Sequence, residues 1–276
     1  MRLFLLTLVT MIAFAANSVL NRMGLAQTGL DPVLFGTVRL MAGAVMLAVL
    51  SFALRGGLPL KGDGRAIGVI ALSLYIFGFS LAYTALDAGI GALVLFGMVQ
   101  VTMFAGALWL GDRVPGLRWA GAVVAFVGLV WLLWPGGGVV LPPLQAGMMV
   151  LAGIGWGIYS LNGRRAGDAL QATAANFVLA VPIGMGLTLL SGVSSLNPLG
   201  IVLAILSGAV TSGLGYALWY SILPRLGATR AAVAQVTVPV LAIAGGMLFL
   251  GEVPSLSFLL SVGVVLTGVV LSSLAR

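Results

Sequence analysis

The chain has 276 residues, of which 61% are hydrophobic and only 7% are charged, whereas a soluble domain carries about 25% charged residues. This composition excludes a soluble globular protein and indicates an integral membrane protein. The absence of cysteine excludes a disulfide framework, and the absence of histidine removes the commonest general base and metal ligand. The formal net charge of +7 lies mostly in predicted loops, which fits membrane topology better than nucleic-acid binding.

Ten apolar runs follow one another along the chain, each long enough to cross the hydrocarbon core of a bilayer, which takes about 20 helical residues. They cover residues 3–21, 33–54, 67–86, 89–110, 117–134, 144–162, 173–190, 199–223, 231–250 and 257–274. Sequences that favour turns end these runs, including Gly56-Gly57, Asn197-Pro198 and Pro224. We therefore predict an all-α integral membrane protein with ten transmembrane helices, called spans 1 to 10, and no soluble domain.

Two short motifs occur twice in the sequence. Gly106-Ala-Leu-Trp-Leu-Gly-Asp112 reappears as Gly246-Met-Leu-Phe-Leu-Gly-Glu252, and each copy ends an apolar run. At almost the same offset, Ser18-Val-Leu-Asn21 is echoed by Tyr159-Ser-Leu-Asn162. Such self-similarity at a fixed offset indicates a tandem duplication.

The predicted halves are residues 1–137 and 138–276, with five helices each. Because five is an odd number, the second half has to enter the membrane from the opposite side, which predicts two inverted five-helix repeats. The first span has the charged start and small residues of a signal peptide. Its counterpart in span 6 cannot be a signal, so we expect span 1 to be retained as a helix.

The basic residues are distributed unevenly over the predicted loops. With both termini in the cytoplasm, eleven of the thirteen lie on the inner side: Arg2, Arg55, Lys61, Arg65, Arg113, Arg118, Arg164, Arg165, Arg225, Arg230 and Arg276. Arg22 and Arg39 are left on the outer side, with the acidic residues Asp31, Asp87 and Glu252. This asymmetry predicts a multi-pass protein of the cell inner membrane with cytoplasmic termini.

Two longer stretches resemble EamA-type members of the drug/metabolite transporter superfamily. They are Tyr83-Thr-Ala-Leu86 with Gly106–Asp112, and Tyr220-Ser-Ile-Leu-Pro-Arg-Leu-Gly-Ala-Thr-Arg230 continuing through Pro239 to Glu252. The resemblance extends over essentially the whole chain. It implies a transporter with a central cavity built from spans 1, 3, 4, 6, 8 and 9, and the aromatic amino acid exporters look like the nearest branch.

The sequence departs from the family pattern at two places. Leu40 follows Arg39, where the family often has an arginine followed by phenylalanine. Val99 and Gln100 stand opposite Pro239, where the family often has a second proline. The second departure leaves open whether any helix break at the site is symmetric.

Polar and aromatic residues spaced three or four apart share a helix face and are candidates for lining a cavity. The predicted substrate-binding residues are Asn17, Arg39, Tyr75, Phe79, Tyr83, Gln100, Trp156, Tyr159, Ser160, Tyr216, Trp219, Tyr220 and Gln235. Amides and phenols within a bilayer need hydrogen-bond partners, which a wet cavity supplies. Alternatively, Asn17 and Gln100 hold neighbouring helices together. Four tryptophans are interpreted as interface anchors instead: Trp109, Trp119, Trp131 and Trp134.

Arg39 is the one charge placed well inside a predicted span, where burial costs at least about 2.5 kcal/mol. It could bind a substrate carboxylate, or form a gate by pairing with Asp87 or Asp31. It could also extend to the outer membrane surface, which lies about 9 Å away along the helix. Asp112 and Glu252 fall at helix ends and are interpreted as structural residues of turns.

Several mechanisms lack the residues they need. No carboxylate lies within a predicted span, so an intramembrane proton relay is missing, and there is no P-loop for ATP hydrolysis. The absence of a central cluster of lysine and arginine argues against phosphorylated substrates.

We therefore predict a transporter, most simply an exporter, that moves small organic solutes such as amino acids by alternating access. It uses no cofactor and binds no nucleic acid, its partners are the solute and the lipid bilayer, and its oligomeric state is open. The alternatives are multidrug or organic cation efflux by the same fold, using cation–π contacts, an intramembrane enzyme acting on lipid, and a channel or structural helix bundle.

Overall fold

The computed structural model describes residues 1–109, 111, 115–134, 141–163 and 166–274, without the side chains of residues 227–229 and 232. All regular structure in these residues is helical. The α-helices are α1 (Arg2–Arg22), α2 (Pro32–Arg55), α3 (Arg65–Ala82), α4 (Ala88–Trp109), α5 (Gly116–Leu133), α6 (Pro143–Gly163), α7 (Ala169–Ser191), α8 (Pro198–Leu206), α9 (Gly215–Gly245) and α10 (Leu256–Leu274). Three π-helical segments continue these helices: Met23–Gln27, Ser207–Leu214 and Gly246–Leu250.

Among the described residues, ten helical segments are long and apolar enough to cross a membrane, which confirms the predicted number. Spans 1 to 7 and span 10 correspond to α1 to α7 and α10. Span 8 is Pro198–Leu226 and span 9 is Val233–Leu250, so both include parts of α9.

Side-chain caps start three of the helices. Asp31 accepts hydrogen bonds from the backbone N–H groups of residues 33 and 34, Asp168 from that of residue 171, and Asn197 from those of residues 199 and 200. Asp31 and Asn197 are each followed by proline, which lacks an N–H group and favours the first turn. The capping oxygens satisfy backbone donors that have no partner within their helix.

The structure differs from the sequence prediction at Pro224, which lies inside α9 and does not end a helix. A proline removes one backbone hydrogen bond and bends the axis without necessarily ending the helical pattern. The chain nevertheless reverses direction between spans 8 and 9. Asn21 of α1 bonds Ser207, and Val19, also on α1, packs against Gly245. A straight helix would hold residues 207 and 245 about 57 Å apart.

The packing joins helices from the two halves of the sequence. α3 lies along α6, α5 along α10 and α2 along α7, while α1 packs against α9 and α4 against α6. The bundle has two ends. Arg22 and Glu252 meet at one of them, called the Arg22 end. Arg55 and Asp168 meet at the opposite end, called the Arg65 end after the first residue of α3.

The outer faces of the helices are apolar. On α2, for example, Val45, Val49 and Phe52 are 66%, 58% and 59% exposed, while Leu40 and Leu47 on the opposite face are fully buried. Soluble proteins rarely expose so much apolar surface, whereas a membrane protein presents such a surface to lipid. Polar side chains are therefore collected in the interior and at the two ends.

The repeated Leu-Gly-acid motif forms a helix end. Gly251 has φ +67° and the backbone N–H of Glu252 donates to the Gly246 carbonyl at 3.1 Å, as in helix ends closed by a left-handed glycine. Gly111 has the same left-handed backbone, with φ +77°. Asp112 and the predicted junction between the repeats, at residues 137 and 138, lie outside the described residues.

Candidate functional site

Arg39 lies in the first half of α2 and its side chain is fully buried. Its Nη2 donates to the Tyr75 hydroxyl at 2.8 Å and its Nε donates to Ser212 Oγ at 3.3 Å. The guanidinium carbon lies 5.1 Å and 4.9 Å from the ring centroids of Tyr75 and Phe79, within the range of cation–π attraction. Nη1 has no hydrogen-bond partner among the described residues. Arg39 therefore points into the bundle with one donor group free.

No carboxylate pairs with Arg39 in the described part of the chain. Asp87 binds Arg22 instead, and Asp31 caps α2 and accepts from Ser194 Oγ at 2.6 Å. The pairing of Arg39 with either aspartate, one of the three alternatives, is therefore not present in this structure, because the guanidinium turns towards Tyr75 while both aspartates lie at the Arg22 end. Extension of Arg39 to the membrane surface is also contradicted. An arginine that extends to the surface keeps its charged group in water, whereas the side chain of Arg39 is fully buried.

Aromatic rings collect beside the guanidinium. Trp156 stacks on Tyr216 and Tyr159, with ring centroids 5.0 Å and 5.3 Å apart. The Trp156 ring also lies 4.8 Å from that of Tyr75, which in turn lies 5.4 Å from Phe79. The structure thus brings together five of the predicted site residues from α3, α6 and α9.

Two asparagines one turn apart on α1 extend the polar part of the site. Asn17 Nδ2 donates to the Tyr75 hydroxyl at 3.3 Å, and Asn17 Oδ1 accepts from Ser207 Oγ at 2.6 Å and from Thr211 Oγ1 at 2.9 Å. Asn21 Nδ2 donates to Ser207 Oγ at 2.9 Å. We call these connected residues the central polar cluster; its members are Asn17, Asn21, Arg39, Tyr75, Ser207, Thr211 and Ser212.

Span 8 approaches α2 closely at Arg39 and so fixes the position of this residue. Gly208 lies against the backbone carbonyl oxygen of Arg39, so closely that a β-carbon on Gly208 would overlap it. The neighbouring Ser207 and Ser212 are fully buried and supply hydroxyl groups to the central polar cluster. Small residues at a helix contact permit such backbone approach in membrane proteins.

A cavity of about 270 Å³ opens at the Arg65 end of the bundle. Residues along it include Lys61, Arg65, Tyr159, Asn162, Asn176 and Tyr220. Tyr159 belongs both to this cavity and to the aromatic stack, because its ring packs on Trp156. The cavity therefore reaches from the Arg65 end to Tyr159, the one ring of the aromatic stack in its lining.

Ion pairs join the helices at the opposite end of the bundle, beside a second cavity of about 230 Å³ whose lining includes Asp87 and Glu252. Arg22 Nη2 lies 3.4 Å from Asp87 Oδ1, and Arg22 Nε lies 3.3 Å from Glu252 Oε1. Glu252 also accepts from the backbone N–H of Ala88 at 2.9 Å. We call Arg22, Asp87 and Glu252 the Arg22 cluster. It ties α1 to the turns that precede α4 and α10.

Burial, and next the nearby charge of Asp87, raise the pKa of Glu252 above its ordinary value of 4.5, although the Ala88 N–H and Arg22 act in the opposite direction. The carboxylate is therefore protonated more readily than an exposed glutamate. Protonation would remove the charge that binds Arg22.

Tyr83 and Ser160 do not reach the central polar cluster. Tyr83 is fully buried beyond the end of α3, where its hydroxyl donates to the backbone carbonyl of Ala88 at 3.2 Å. Ser160 donates to the backbone carbonyl of Trp156 within its own helix at 2.7 Å.

Gln100, Gln235, Trp219 and Tyr220 are also placed elsewhere. Gln100 and Gln235 line a separate small cavity between α4 and α9. Trp219 packs against Phe14 with ring centroids 5.8 Å apart, and Tyr220 lines the cavity at the Arg65 end. A role of these four residues in substrate binding stays a prediction.

Four members of the central polar cluster are absent from the sequence-based site: Asn21, Ser207, Thr211 and Ser212. Asn21 could have been included on the basis of the sequence, because it belongs to the echoed Ser18–Asn21 motif. Serine and threonine commonly bond the backbone of their own helix, so nothing in the pattern marks those in span 8.

Comparison with known proteins agrees with this architecture. Residues 144–274 match the EamA-like transporter family. An uncharacterized protein of Pseudomonas aeruginosa is 46% identical over 254 residues, which are 91% of this chain and 87% of that protein. One crystal structure has the same fold, with a TM-score of 0.69 and 18% sequence identity. The superposition covers 98% of this chain and 97% of the chain in that structure.

Two relatives in Escherichia coli carry functional names. The threonine/homoserine exporter RhtA is 32% identical in an alignment of 247 positions that covers 83% of this chain and 77% of the exporter. A probable amino-acid metabolite efflux pump is 24% identical in an alignment of 265 positions that covers 90% of this chain and 86% of the pump. With ten helices that can cross a membrane and these relatives, the chain is a multi-pass membrane protein that belongs to the EamA-like transporter family of the drug/metabolite transporter superfamily.

Proposed function

We propose that this protein exports small α-amino acids and related carboxylates, and that Arg39 binds the carboxylate of the transported molecule. The observation that carries the substrate class is the fully buried guanidinium, whose Nη1 has no partner in the described part of the chain. An arginine inside a bilayer costs at least about 2.5 kcal/mol. A carboxylate would offset this cost through charge-assisted hydrogen bonds. The names of RhtA and of the efflux pump, both referring to amino acids, support the same class.

The two ends of the bundle support alternating access. The central polar cluster lies between the cavity at the Arg65 end and the ion pairs at the Arg22 end. We infer a conformation open towards the Arg65 end, with the Arg22 cluster as the closed gate. Breaking that cluster while closing the Arg65 cavity would expose the site to the other side.

We place the Arg65 end and both termini in the cytoplasm of a cell with this protein in its inner membrane, on the strength of the loop charges. The proposed inverted repeats are supported by the packing. If span 1 corresponds to span 6 and span 3 to span 8, the contact of α3 with α6 has its counterpart in the contact of α1 with α9 and the preceding π-helical segment. Asn21 and Asn162, which are equivalent in the echoed motif, bond Ser207 and Gly64 across these two contacts.

Organic cation efflux is the weaker alternative for this fold. The aromatic rings beside Trp156 would suit a cation, but Arg39 lies against two of the rings, Tyr75 and Phe79, and would repel it. We set aside an intramembrane enzyme acting on lipid because the chain belongs to a family of transporters.

The test is transport by purified protein in liposomes. Counterflow of labelled threonine, homoserine and phenylalanine would cover the amino acids named for RhtA and the aromatic branch. Arg39→Lys keeps the charge but loses the planar fork that binds carboxylates, and should raise the half-saturating concentration at least about tenfold, the effect of one charge-assisted hydrogen bond.

Isopropanolamine, which is threonine without its carboxylate, is the matched probe. Its inhibition constant should be equal for wild type and Arg39→Lys. Arg55→Lys, at the exposed ion pair with Asp168, is the control variant and should transport threonine as the wild type does. No transport of any of the three amino acids would disprove the proposed function.

A further inference from the structure

A second unpaired polar atom belongs to the central polar cluster. Asn21 is fully buried, and its Nδ2 donates to the backbone carbonyl of Asn17 at 2.8 Å and to Ser207 Oγ at 2.9 Å. The carbonyl of Asn17 can only accept, so it fixes which side of the Asn21 amide carries the NH₂ group. Asn21 Oδ1, on the other side, has no partner among the described residues.

Asn21 and Arg39 are joined through a short series of side chains. Arg39 Nη2 donates to the Tyr75 hydroxyl, which also accepts from Asn17 Nδ2. Asn17 and Asn21 then share Ser207 as a partner. The cluster therefore has a free cationic donor on α2 and a free neutral acceptor on α1. Ser80 Oγ is also buried without a partner in the described chain, but it faces Gly36 and does not belong to this series.

The two free groups differ in the ligand that each requires. A guanidinium donor binds an anionic acceptor such as a carboxylate, whereas an amide oxygen binds an N–H or O–H donor. Leaving a buried polar atom without a partner costs about 1–3 kcal/mol. A ligand that carries both a carboxylate and an N–H or O–H donor offers each of these atoms the kind of partner that it requires.

We propose that Asn21 Oδ1 binds the ammonium group of an α-amino acid, so that the central polar cluster recognises a zwitterion and not a carboxylate alone. This inference rests on the proposed function, from which it takes the carboxylate at Arg39. A neutral acceptor satisfies the ammonium without adding a second buried charge.

The test separates the ammonium from the carboxylate. β-Hydroxybutyrate is threonine without its ammonium group, and its inhibition constant against labelled threonine counterflow is measured in liposomes. Wild type should bind threonine about tenfold more tightly than β-hydroxybutyrate. Phenylalanine and phenylpropionate form a second pair that differs in the same way.

Asn21→Ser should raise the inhibition constant of threonine about tenfold and leave that of β-hydroxybutyrate within about twofold. Arg39→Lys should raise both constants. Asn197→Ser is the control, because Asn197 caps the start of span 8 away from the central polar cluster and serine can replace it as a cap. It should change neither constant.

Three results would overturn the proposal. Equal loss of affinity for both ligands in Asn21→Ser would make Asn21 a structural residue and leave the proposed function intact. Equal binding of threonine and β-hydroxybutyrate by wild type would also exclude the ammonium site, and this measurement needs no variant to fold. If wild type binds neither amino acid, the proposed function and the ammonium site both fail.

Discussion

Arg39 donates a 2.8 Å hydrogen bond to the hydroxyl of Tyr75 while its guanidinium also lies over the ring of the same residue. Tyr75 thus orients the guanidinium in two ways: its hydroxyl accepts a hydrogen bond and its ring makes a cation–π contact. The remaining donor, Nη1, is left free by this arrangement. In the proposed recognition of a carboxylate by Arg39, Tyr75 is therefore a positioning residue.

Tyr75→Phe should weaken threonine binding several-fold, because a second donor of Arg39 loses its acceptor and the guanidinium loses its orientation. An unsatisfied buried donor should also cost about 1–3 kcal/mol of stability. Tyr83→Phe is the control, since its hydroxyl bonds the Ala88 carbonyl away from Arg39. The measurement is the ratio of the inhibition constants of threonine and isopropanolamine. A ratio that changes equally in the two variants would contradict the role of Tyr75.

Arg22→Gln should open the Arg22 end, because neither Asp87 nor Glu252 keeps its cationic partner. The chain has no native cysteine, so a single Ser18→Cys, one turn below Arg22 and buried in the closed state, can report on access. Its reaction with an impermeant thiol reagent should speed up several-fold in Arg22→Gln. Arg55→Gln, which breaks the ion pair at the opposite end, should leave the rate unchanged. An unchanged rate in both variants would rule out the Arg22 cluster as a gate.

Glu252 should make the stability of the protein depend on pH. Its pKa is raised in the folded protein above the ordinary 4.5 of the unfolded chain. Its contribution to the free energy of unfolding is therefore fully present below pH 4.5 and is lost as the pH rises through the raised pKa.

Thermal unfolding in detergent, followed from pH 4.5 to about pH 7, measures this dependence, which cannot exceed about 1.4 kcal/mol per pH unit for one group. Glu252→Gln keeps an acceptor for the Ala88 N–H but does not titrate, so its stability should fall less steeply with rising pH. Parallel curves for wild type and variant would contradict the raised pKa.

Gly208→Ala should disturb the contact between span 8 and α2, since the new methyl group overlaps the Arg39 carbonyl. Overpacking of this kind costs about 1–3 kcal/mol. A methyl group on Gly263 meets nothing within 4 Å, so Gly263→Ala is the matched control and should not lower the melting temperature. Equal melting temperatures for the two variants would show that the contact is not as close as described.

The topology can be tested with single cysteines at two exposed positions. Gly62→Cys lies in the turn before α3, and Val253→Cys, at a position 87% exposed, lies in the turn before α10. Impermeant reagents should label Gly62→Cys only from the cytoplasm and Val253→Cys only from outside. Labelling of both from one face would contradict the proposed orientation.

The number of spans and their approximate limits could be predicted because hydropathy and turn residues act locally. The continuation of the helix through Pro224 could not, since a proline stops a helix only where the neighbouring backbone groups find other partners. Whether they do depends on the packing of spans 8 and 9 against α1, which hydropathy does not describe.

The site was predictable only in part for a related reason. Helical spacing correctly places Tyr75 and Phe79 on one face of α3, but it does not show which helix that face meets. Gln100 and Gln235 line a small cavity whose lining does not include Arg39. The partners of Arg39 on span 8 depend on Gly208, whose effect is visible only once two helices are side by side.

The single buried charge of the central polar cluster also determines how a membrane voltage would act on transport. An α-amino acid zwitterion has no net charge, so the proposed site carries one positive charge both when empty and when loaded. The charge that crosses the field during outward movement would return in full during the inward movement. A complete cycle without a bound ion would then be electroneutral, and the flux would follow only the difference in amino acid concentration. Such a protein would release amino acids whenever their concentration on the inner side exceeds that on the outer side.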